Sequence, residues 1–556
     1  MRPALTPRGR WFALSGILLL AAGAAGGVAA LSALGLLALA GLALAYLHHA
    51  PRVADIFAGG LKLAWWLEPE TPAERTILVG RPLWLQVALR CHGRARLGVA
   101  RLRAVAHPAL ELPGELGARI EPLRETRLSM RVLPHAAGSH VIHGAMLDVD
   151  DLLGLFRAQA YFPNPLKLVV MPRALGSAVP EVGGRAASEE RAGTRLLRRV
   201  GLGLELREIR EHAHGDPWKR IAWAATARTG QLMVREFESD VTYTYHLLVD
   251  ASAAMRRGAP GETPLDVAID GATAMARAAL AQGDRVALTI FAGRTIASAL
   301  PGDGPVHLSR ILACLLDARH VVDEDLTDLT DGELAQVVAR YLRHQEGVET
   351  QLDRAPTLDD PGWARIVTGP RGELYDLHAL GRACRELLPE PDVRAGGADA
   401  DTLALRRLCR LRSLDLPPRV LAPAAHGRAV ADALIGAAMP RSARVLVLWT
   451  TLGKDPEDEP AAWQALMQRA LHLVRRRRHR LALVMPVAPL PGERGAHDPM
   501  LELQARVDRR RAERASRKMR QLALDVHLVA ADEPPALWLR QVGRAGPPPR
   551  RPALAS

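Results

Sequence analysis

Residues 243–255 read YTYHLLVDASAAM, an apolar run that ends in Asp250, Ala251 and Ser252. A short run of β-prone residues without polar alternation is typical of a strand buried on both faces of a parallel sheet. In an open α/β sheet the ligand site lies beyond the carboxyl ends of the strands, so Asp250 and Ser252 are candidate site residues. This stretch therefore predicts an α/β domain with a site at Asp250.

Apolar, β-prone runs alternate with helical patterns through the rest of the carboxyl-terminal half. The further predicted strands are 285–291, 444–449, 480–485 and 524–529, and the predicted helices are 265–281, 306–316, 461–478 and 501–522. Strand and helix repetition predicts a doubly wound α/β domain, here over residues 243–545. A segment at about 319–440, with an acidic start, interrupts the repetition and is interpreted as an insertion.

The amino terminus contains no charged residue from Trp11 to Leu47. As one helix this run would be roughly 55 Å long, against about 30 Å of bilayer hydrocarbon. Glycines at 23, 26 and 27 interrupt it, so residues 1–52 are predicted to form a transmembrane hairpin of spans 11–28 and 29–47. Basic residues flank both ends, which places both in the cytoplasm by the positive-inside rule. A cleaved signal peptide is the alternative, but its apolar region has only about 7 to 15 residues.

Short alternating strands separated by turn residues follow the hairpin. They predict a small antiparallel β-sandwich at 70–175, with strands near 77–79, 84–89, 97–105, 127–132, 140–146 and 166–171. The phrase Asp151 to Phe156 is interpreted as a turn between core residues. Trp65 and Trp66 either anchor at a membrane interface or begin the core of the sandwich. Residues 176–200 are a predicted linker, and 546–556 a predicted disordered tail.

A dense signature occupies residues 201–242, directly before the Asp250 strand. Its residues are Arg210, Gly215, Asp216, Arg220, Trp223, Arg228 and Arg235. Together with the hairpin, the sandwich phrase and the Asp250 motif, this signature resembles the bacterial domain-of-unknown-function fifty-eight family (DUF58). The chain departs from the family pattern mildly, at His212, Lys219 and Ala222.

The resemblance implies a fold, a location and a partner. Proteins of this family are membrane-anchored, carry a von Willebrand factor A-like α/β domain, and are commonly encoded beside MoxR-type AAA+ ATPases. The resemblance thus implies a multi-pass protein of the bacterial inner membrane with its soluble domains in the cytoplasm. It would act as an interaction or adaptor protein with such an ATPase, in the assembly or maturation of other proteins.

The metal site of von Willebrand A domains is only partly present. That site uses Asp-x-Ser-x-Ser, a Thr and a second Asp, which are hard oxygen donors suited to Mg²⁺. Asp250 and Ser252 match, but Ala254 offers no oxygen, and Thr450 and Thr451 follow the strand expected to deliver the second Asp. The Thr has no firm counterpart, because Gly427-Arg428-Ala429 stands where its loop is expected and Thr402 is distant. We expect a degenerate site without metal, and bound Mg²⁺ is the alternative.

Charge and motifs limit the remaining function classes. The formal charge is +13, from 73 Lys and Arg against 60 Asp and Glu. The basic runs 475–478 and 509–520 lack interleaved aromatics, so solvated helix faces are expected and not a specific nucleic-acid site. No phosphate-binding glycine loop and no nucleophile–base pair is visible, so no enzyme activity and no cofactor is predicted. The alternatives are a hydrolase using Asp216 and a nearby His, and a metal-dependent adhesion module.

Overall fold

The chain divides into two units, described here from a computed structural model. Unit 1 comprises Met1–Arg173 and Arg319–Arg419, and unit 2 comprises Ala174–Ala318 and Val420–Ser556. The structure describes residues 3–55, 61–67, 76–92, 99–119, 124–151, 153–177, 200–213, 218–238, 243–352, 365–388, 399–451, 460–487, 499–521 and 525–530. Most of the predicted linker 176–200 and all of the predicted tail 546–556 lie outside the described residues.

Two apolar helices begin unit 1: α1 (Pro7–Gly26) and α2 (Ala29–Asp55). Both are long and apolar enough to cross a membrane, as the sequence predicted. The hydroxyl of Thr6 caps α1 by accepting a hydrogen bond from Gly9 N at 3.0 Å. The chain reverses at Gly27, whose φ of 67° is a conformation that favours glycine. A Cβ at Gly35 of α2 would lie 2.6 Å from Leu20 N of α1, so the helices pack closely there.

A β-sandwich forms most of the remainder of unit 1. Its strands are β1 (Ala4–Leu5), β2 (Leu61–Leu67), β3 (Ile77–Leu78), β4 (Leu83–Cys91), β5 (Val99–Ala106), β6 (Leu110–Glu111), β7 (Leu116–Arg119), β8 (Glu125–Pro134), β9 (Gly138–Asp150) and β10 (Phe156–Met171). One sheet has the order β1-β10-β9-β5-β7 with β3 beside β10, and the other has the order β2-β4-β8-β6. All pairs are antiparallel except β3 with β10. The predicted antiparallel sheets are thus present.

The inward side chains of both sheets form one apolar core, which includes Leu85, Leu102 and Ile142. Trp65 belongs to this core, with 8% of its surface exposed, and its indole N–H donates to Asn164 O at 3.0 Å. Trp66 is 39% exposed on the opposite face of β2, because side chains alternate along a strand. Trp65 is therefore a core residue, which selects one of the two interpretations that the sequence left open.

The turn at Asp151 to Phe156 connects β9 to β10 and also holds the start of the hairpin. Asp151 Oδ1 accepts a hydrogen bond from Phe156 N at 2.9 Å, and Gly154 has a φ of 67°. Thr6 N donates to Leu155 O at 2.9 Å, and the Thr6 hydroxyl donates to Gly154 O at 2.6 Å. The predicted turn therefore fixes helix α1 directly to the sandwich.

Residues 319–419 leave the α/β part of the chain and pack within unit 1. They contain α6 (Asp331–Tyr341), a π-helical turn (Leu342–Glu346), β16 (Gln351–Leu352), β17 (Ile366–Thr368), β18 (Leu374–Asp376), α7 (Leu377–Leu387) and α8 (Asp399–Leu411). Their own core includes Leu334, Leu380 and Leu405. They contact the sandwich where Ser413 Oγ donates to Ser139 O at 2.8 Å. The sequence ended this insertion at about 440, whereas residues from Val420 onward belong to unit 2.

Histidines line the contact between β9 and this inserted segment. His107 Nε2 lies 2.9 Å from Asp415 Oδ2, and the rings of His107 and His140 stack at 4.7 Å. Burial, with the neighbouring charges of His107 and Arg319, lowers the pKa of His140 to about 3. Burial lowers the pKa of His143 to about 4. Both rings are therefore neutral at physiological pH.

Unit 2 contains a six-stranded sheet of β13 (Thr244–Asp250), β14 (Arg285–Ala292), β15 (Arg294–Gly302), β19 (Val445–Trp449), β20 (Arg480–Val487) and β21 (Asp525–Ala530). The strand order is β15-β14-β13-β19-β20-β21, and only the edge strand β15 is antiparallel to its neighbour. The antiparallel strand β15 was not predicted. Its hairpin with β14 turns at Gly293, whose φ is 81°.

The helices of unit 2 are α3 (Trp223–Thr229), α4 (Pro264–Ala281), α5 (Gly304–Asp317), α9 (Pro423–Ala438), α10 (Pro460–Arg476) and α11 (Pro499–Gln521). Helices α9, α10 and α11 share a core with β13, β19, β20 and β21, to which Val430, Leu448 and Leu483 contribute. Helix α9 is thus part of the α/β layers, which is why the insertion ends before it. After β13 the chain adds β14 on one side of β13, and it later adds β19 on the opposite side of β13. The winding direction of the sheet therefore changes between β13 and β19.

The signature segment folds as a two-stranded antiparallel ribbon of β11 (Val200–Glu211) and β12 (Met233–Glu238). A 3₁₀ turn (Trp218–Arg220) and helix α3 lie between the two strands. Ile221, Ala222 and Val234 are buried beneath them.

Candidate functional site

Asp250 lies where the sheet of unit 2 changes winding direction. It is the last residue of β13, and Thr450 follows the end of the adjacent strand β19. His426 lies in the first turn of α9, and its N–H donates to Ala422 O at 2.9 Å. Parallel strands end at one edge of the sheet, so these residues from three separate parts of the chain meet at the position where such folds bind ligands.

Asp250 accepts hydrogen bonds from three sides. Ser252 N donates to Oδ1 at 2.9 Å, while the Thr450 hydroxyl donates to Oδ2 at 2.7 Å. His426 Nε2 donates to the same Oδ2 at 2.7 Å and lies 3.5 Å from Ser252 Oγ. Asp250 and Thr450 are fully buried, and Ser252 and His426 nearly so. The carboxylate is thus enclosed by protein donors.

The pKa values of Asp250 and His426 are both shifted in the direction that favours an ion pair. Burial raises the pKa of Asp250, but the hydrogen bond and charge of His426, with the other two donors, outweigh burial and hold that pKa below its usual value. Burial likewise lowers the pKa of His426, and the hydrogen bond and charge of Asp250 outweigh it and raise that pKa above its usual value. The two directions agree, and both favour a carboxylate that faces an imidazolium.

The donor set does not fit a divalent cation. Mg²⁺ requires about six oxygens in octahedral geometry. Asp250 and Ser252 have the positions that the sequence predicted, but Ala254 has no side-chain oxygen, and β19 delivers Thr450 in place of a second Asp. Next to Gly427, where the second loop was sought, the residue that reaches Asp250 is His426. Thr402 lies on α8 of unit 1. Over the described residues, no group of three His, Cys, Asp or Glu could hold a metal.

The described signature residues lie on the ribbon and its connection. Arg210 on β11 pairs with Val234, the neighbour of Arg235 on β12, and its guanidinium donates to Glu211 O at 2.9 Å. Arg228 and Arg235 are exposed. Arg220 is the last residue of the 3₁₀ turn, where the structure describes its backbone but not its side chain. Gly215, Asp216 and His214 also lie outside the described residues, so the hydrolase alternative based on Asp216 stays a prediction.

Two tryptophans of this connection are largely exposed. Trp218 is 71% exposed and Trp223 is 65% exposed, and the ring of His212 lies 6.0 Å from that of Trp218. Lys219 and Arg228 are exposed on the same short connection. We call Trp218, Lys219, Trp223 and Arg228 the tryptophan surface. Of these residues, Trp223 and Arg228 were named in the sequence signature and Lys219 as a departure from the family pattern, whereas Trp218 was not singled out.

Sequence reasoning missed the two partners of the Asp250 carboxylate. Thr450 was noted only as a residue standing where an Asp was expected, and His426 was not considered. A usable signal existed, because His426 directly precedes Gly427 at the expected second loop. A histidine within the predicted insertion does not reveal its partner, however, since Asp250 is 176 residues away.

Comparisons with known proteins identify a family and little beyond it. The family described as Protein of unknown function DUF58 matches residues 208–341, which include Asp250 and Ser252 but neither His426 nor Thr450. No curated protein matches the chain.

Solved structures give only faint likenesses. A FixG-related protein from Vibrio parahaemolyticus is 7% identical, with 20% of this chain and 96% of that chain covered and a TM-score of 0.14. A cohesin module of a glycoside hydrolase from Clostridium perfringens is 11% identical, with 20% and 97% covered and a TM-score of 0.15. Such scores carry no inference about fold or function. The family match over residues 208–341 is to DUF58, a family of unknown function, and it supports the resemblance seen in the sequence.

Proposed function

We propose that this protein is a membrane-anchored interaction protein whose α/β domain is von Willebrand factor A-like and binds a MoxR-type AAA+ ATPase. The observation that carries the proposal is the tryptophan surface, because Trp218 and Trp223 lie exposed within the family-matched segment. Tryptophan and arginine dominate the energetics of protein interfaces, and large aromatic side chains are costly to leave in water.

The topology of unit 2 supports the von Willebrand factor A-like assignment. In chain order the six strands are arranged 3-2-1-4-5-6, with an antiparallel strand at one edge. The Asp-x-Ser motif ends the first of these strands, at the change of winding direction. Such an arrangement positions loops for ligand or partner binding at one end of the sheet.

The hairpin of α1 and α2 supports an anchor in the bacterial inner membrane. Exposed apolar side chains cover both helices, including Trp11, Leu37 and Leu47. Arg8 and Arg10 lie near the start of α1, and Arg52 lies in the last turn of α2. Basic residues at both ends favour a cytoplasmic location for the domains that follow the hairpin by the positive-inside rule.

The enclosure of Asp250 supports binding in preference to catalysis. A general base or nucleophile must reach its substrate, whereas Asp250 is fully buried and both of its oxygens accept hydrogen bonds from protein donors. A hydrolase using Asp216 with a nearby His, and a metal-dependent adhesion module, are the competing functions.

Binding of the purified full-length protein in nanodiscs to a purified MoxR-type ATPase from the same organism tests this proposal. We expect saturable binding by biolayer interferometry. The double variant Trp218→Ala/Trp223→Ala should weaken it about 30-fold or more, since one interface hot spot contributes at least about 2 kcal/mol. Trp84→Ala is the matched control, because Trp84 is 46% exposed on the sandwich, outside the matched segment. Failure of the wild type to bind, or equal weakening by the control, would contradict the proposal.

A further inference from the structure

The ring nitrogen of His426 lies beside both oxygens that the Asp-x-Ser motif would offer to a cation. His426 Nε2 is 2.7 Å from Asp250 Oδ2 and 3.5 Å from Ser252 Oγ, the two oxygens that the Asp-x-Ser motif would offer to a metal. A Mg²⁺ ion held by both oxygens would need to lie about 2.0 to 2.1 Å from each. The ring nitrogen lies within 3.5 Å of both oxygens, so a cation that bridged them would compete with the ring for Oδ2.

His426 also supplies the positive charge that the buried carboxylate requires. A fully buried carboxylate without a counterion is strongly destabilising, so a partner of opposite charge is needed. Within the described residues, the only cationic group hydrogen-bonded to Asp250 is His426; the other two donors are the Ser252 amide and the Thr450 hydroxyl. One side chain, His426, thus lies beside both oxygens of the motif and supplies the positive charge that a metal ion would otherwise bring.

The surrounding residues leave a cation too few oxygens. Ala254 replaces an oxygen donor of the motif, and Thr450 replaces a carboxylate. The Thr450 hydroxyl is already committed to Asp250 Oδ2 at 2.7 Å. Asp250 Oδ1 is likewise occupied by Ser252 N.

We propose that His426 is a built-in counterion that replaces the divalent cation of a von Willebrand factor A-type site, so that this module binds its partner without metal. The proposal rests on the von Willebrand factor A-like assignment made above. It deepens that assignment by naming the residue that closes the site.

Manganese binding to the full-length protein in nanodiscs tests the proposal directly. Aqueous Mn²⁺ gives an electron paramagnetic resonance signal that decreases when the ion binds. We expect the wild type and Asp250→Ala to take up Mn²⁺ equally weakly, and the melting temperature of the wild type to be the same in MgCl₂ and in EDTA. Saturable Mn²⁺ binding by the wild type that Asp250→Ala abolishes would overturn the proposal, because a cation would then displace His426.

Substitution of His426 should open a cation-binding site at Asp250. We expect His426→Ala to melt at a lower temperature than the wild type in EDTA, and Mn²⁺ or Mg²⁺ to restore part of the loss. His426→Ala/Ala254→Ser removes the ring and adds one oxygen, so it should bind Mn²⁺ at least about ten-fold more tightly than the wild type. The bound ion should then raise the melting temperature, because a ligand stabilises the state that it binds. Unaltered stability of His426→Ala, or no recovery of His426→Ala/Ala254→Ser with either ion, would overturn the proposal.

A second buried histidine provides the matched control. His479 has 7% of its surface exposed, but its ring bonds only backbone groups, with Nε2 3.0 Å from Ala438 O and Nδ1 accepting from Arg444 N. His479→Ala should lose stability that no cation restores, since no carboxylate is left without a counterion. If His426→Ala does not fold, His426→Gln keeps a donor without the charge, and its recovery with Mn²⁺ is measured instead.

The two proposals fail separately. The manganese and melting measurements need no partner protein, whereas the partner test relies on Trp218 and Trp223. A wild type that binds the ATPase and also binds Mn²⁺ through Asp250 would overturn only the role of His426. A wild type with neither Mn²⁺ nor ATPase binding would leave the counterion standing and contradict the function.

Discussion

Thr450→Val and Thr451→Val are adjacent, nearly isosteric changes with opposite expected effects. The Thr450 hydroxyl is fully buried and donates to the Asp250 carboxylate at 2.7 Å. The Thr451 hydroxyl is also buried, and it has no hydrogen-bond partner among the described residues. Each substitution exchanges a hydroxyl for a methyl group, so the pair isolates the hydrogen bond to Asp250 from the change in shape.

The magnitudes follow from the two environments. A hydrogen bond to a charged group contributes about 1.5 to 3 kcal/mol, so Thr450→Val should destabilise the sheet by about 2 kcal/mol. Thr451→Val removes an unsatisfied buried oxygen, and should be neutral or stabilising by up to about 1 kcal/mol. The difference arises because Val cannot donate to Asp250.

Hydrogen exchange of the full-length protein in nanodiscs, followed by mass spectrometry, measures the local stability of the sheet in each variant. Protection of the amides of β13 and β19 should fall about 30-fold in Thr450→Val, which corresponds to about 2 kcal/mol. Thr451→Val should leave that protection unchanged or raise it. Equal loss in both variants, or no loss in Thr450→Val, would refute the assignment of the hydrogen bond.

Two further predictions concern pH and helix capping. The folded pKa values of His140 and His143 are about 3 and about 4, against an ordinary 6.5. Unit 1 should therefore be fully stable above about pH 6.5 and lose up to about 1.4 kcal/mol per pH unit per ring as the pH falls towards 4. Urea unfolding at several pH values measures this loss, and an unchanged dependence of stability on pH in His140→Gln would contradict it. Thr263→Ala should destabilise α4 by about 1 to 2 kcal/mol, because Thr263 accepts from Asp266 N at 3.1 Å and donates to Asp266 Oδ2 at 2.7 Å in a buried capping box. Exchange of the α4 amides measures that loss, and Thr330→Ala in the exposed capping box of α6 should cost less.

Local patterns predicted the positions of most elements closely. The strand predicted at 285–291 is Arg285–Ala292, and the helix predicted at 265–281 is Pro264–Ala281. A proline and a capping threonine begin the helix, and a continuous apolar run marks the strand, so neighbouring residues suffice to define each element. The edge strand Arg294–Gly302 was missed, because its exposed and half-buried side chains resemble a loop.

The limits of the insertion could not be read from local pattern. Helix α9 at Pro423–Ala438 follows the helices of the insertion without a break in the local pattern of strands, and its packing against Leu446 and Leu448 assigns it to the α/β layers. His107 and Asp415 likewise meet at 2.9 Å across 308 residues, within unit 1. Contacts of that separation leave no periodic trace in the chain.

The sequence by itself determined the apolar hairpin, the alternation of strands and helices in unit 2 and the place of Asp250 at the end of a buried strand, because burial and backbone propensity act on neighbouring residues. Only the tertiary structure decided what faces the Asp250 carboxylate. His426 and Thr450 reach it because α9 and β19 end at the same edge of the sheet as β13. A buried charge is compensated by whichever groups the fold brings within hydrogen-bond distance, and that distance is set in space and not along the chain.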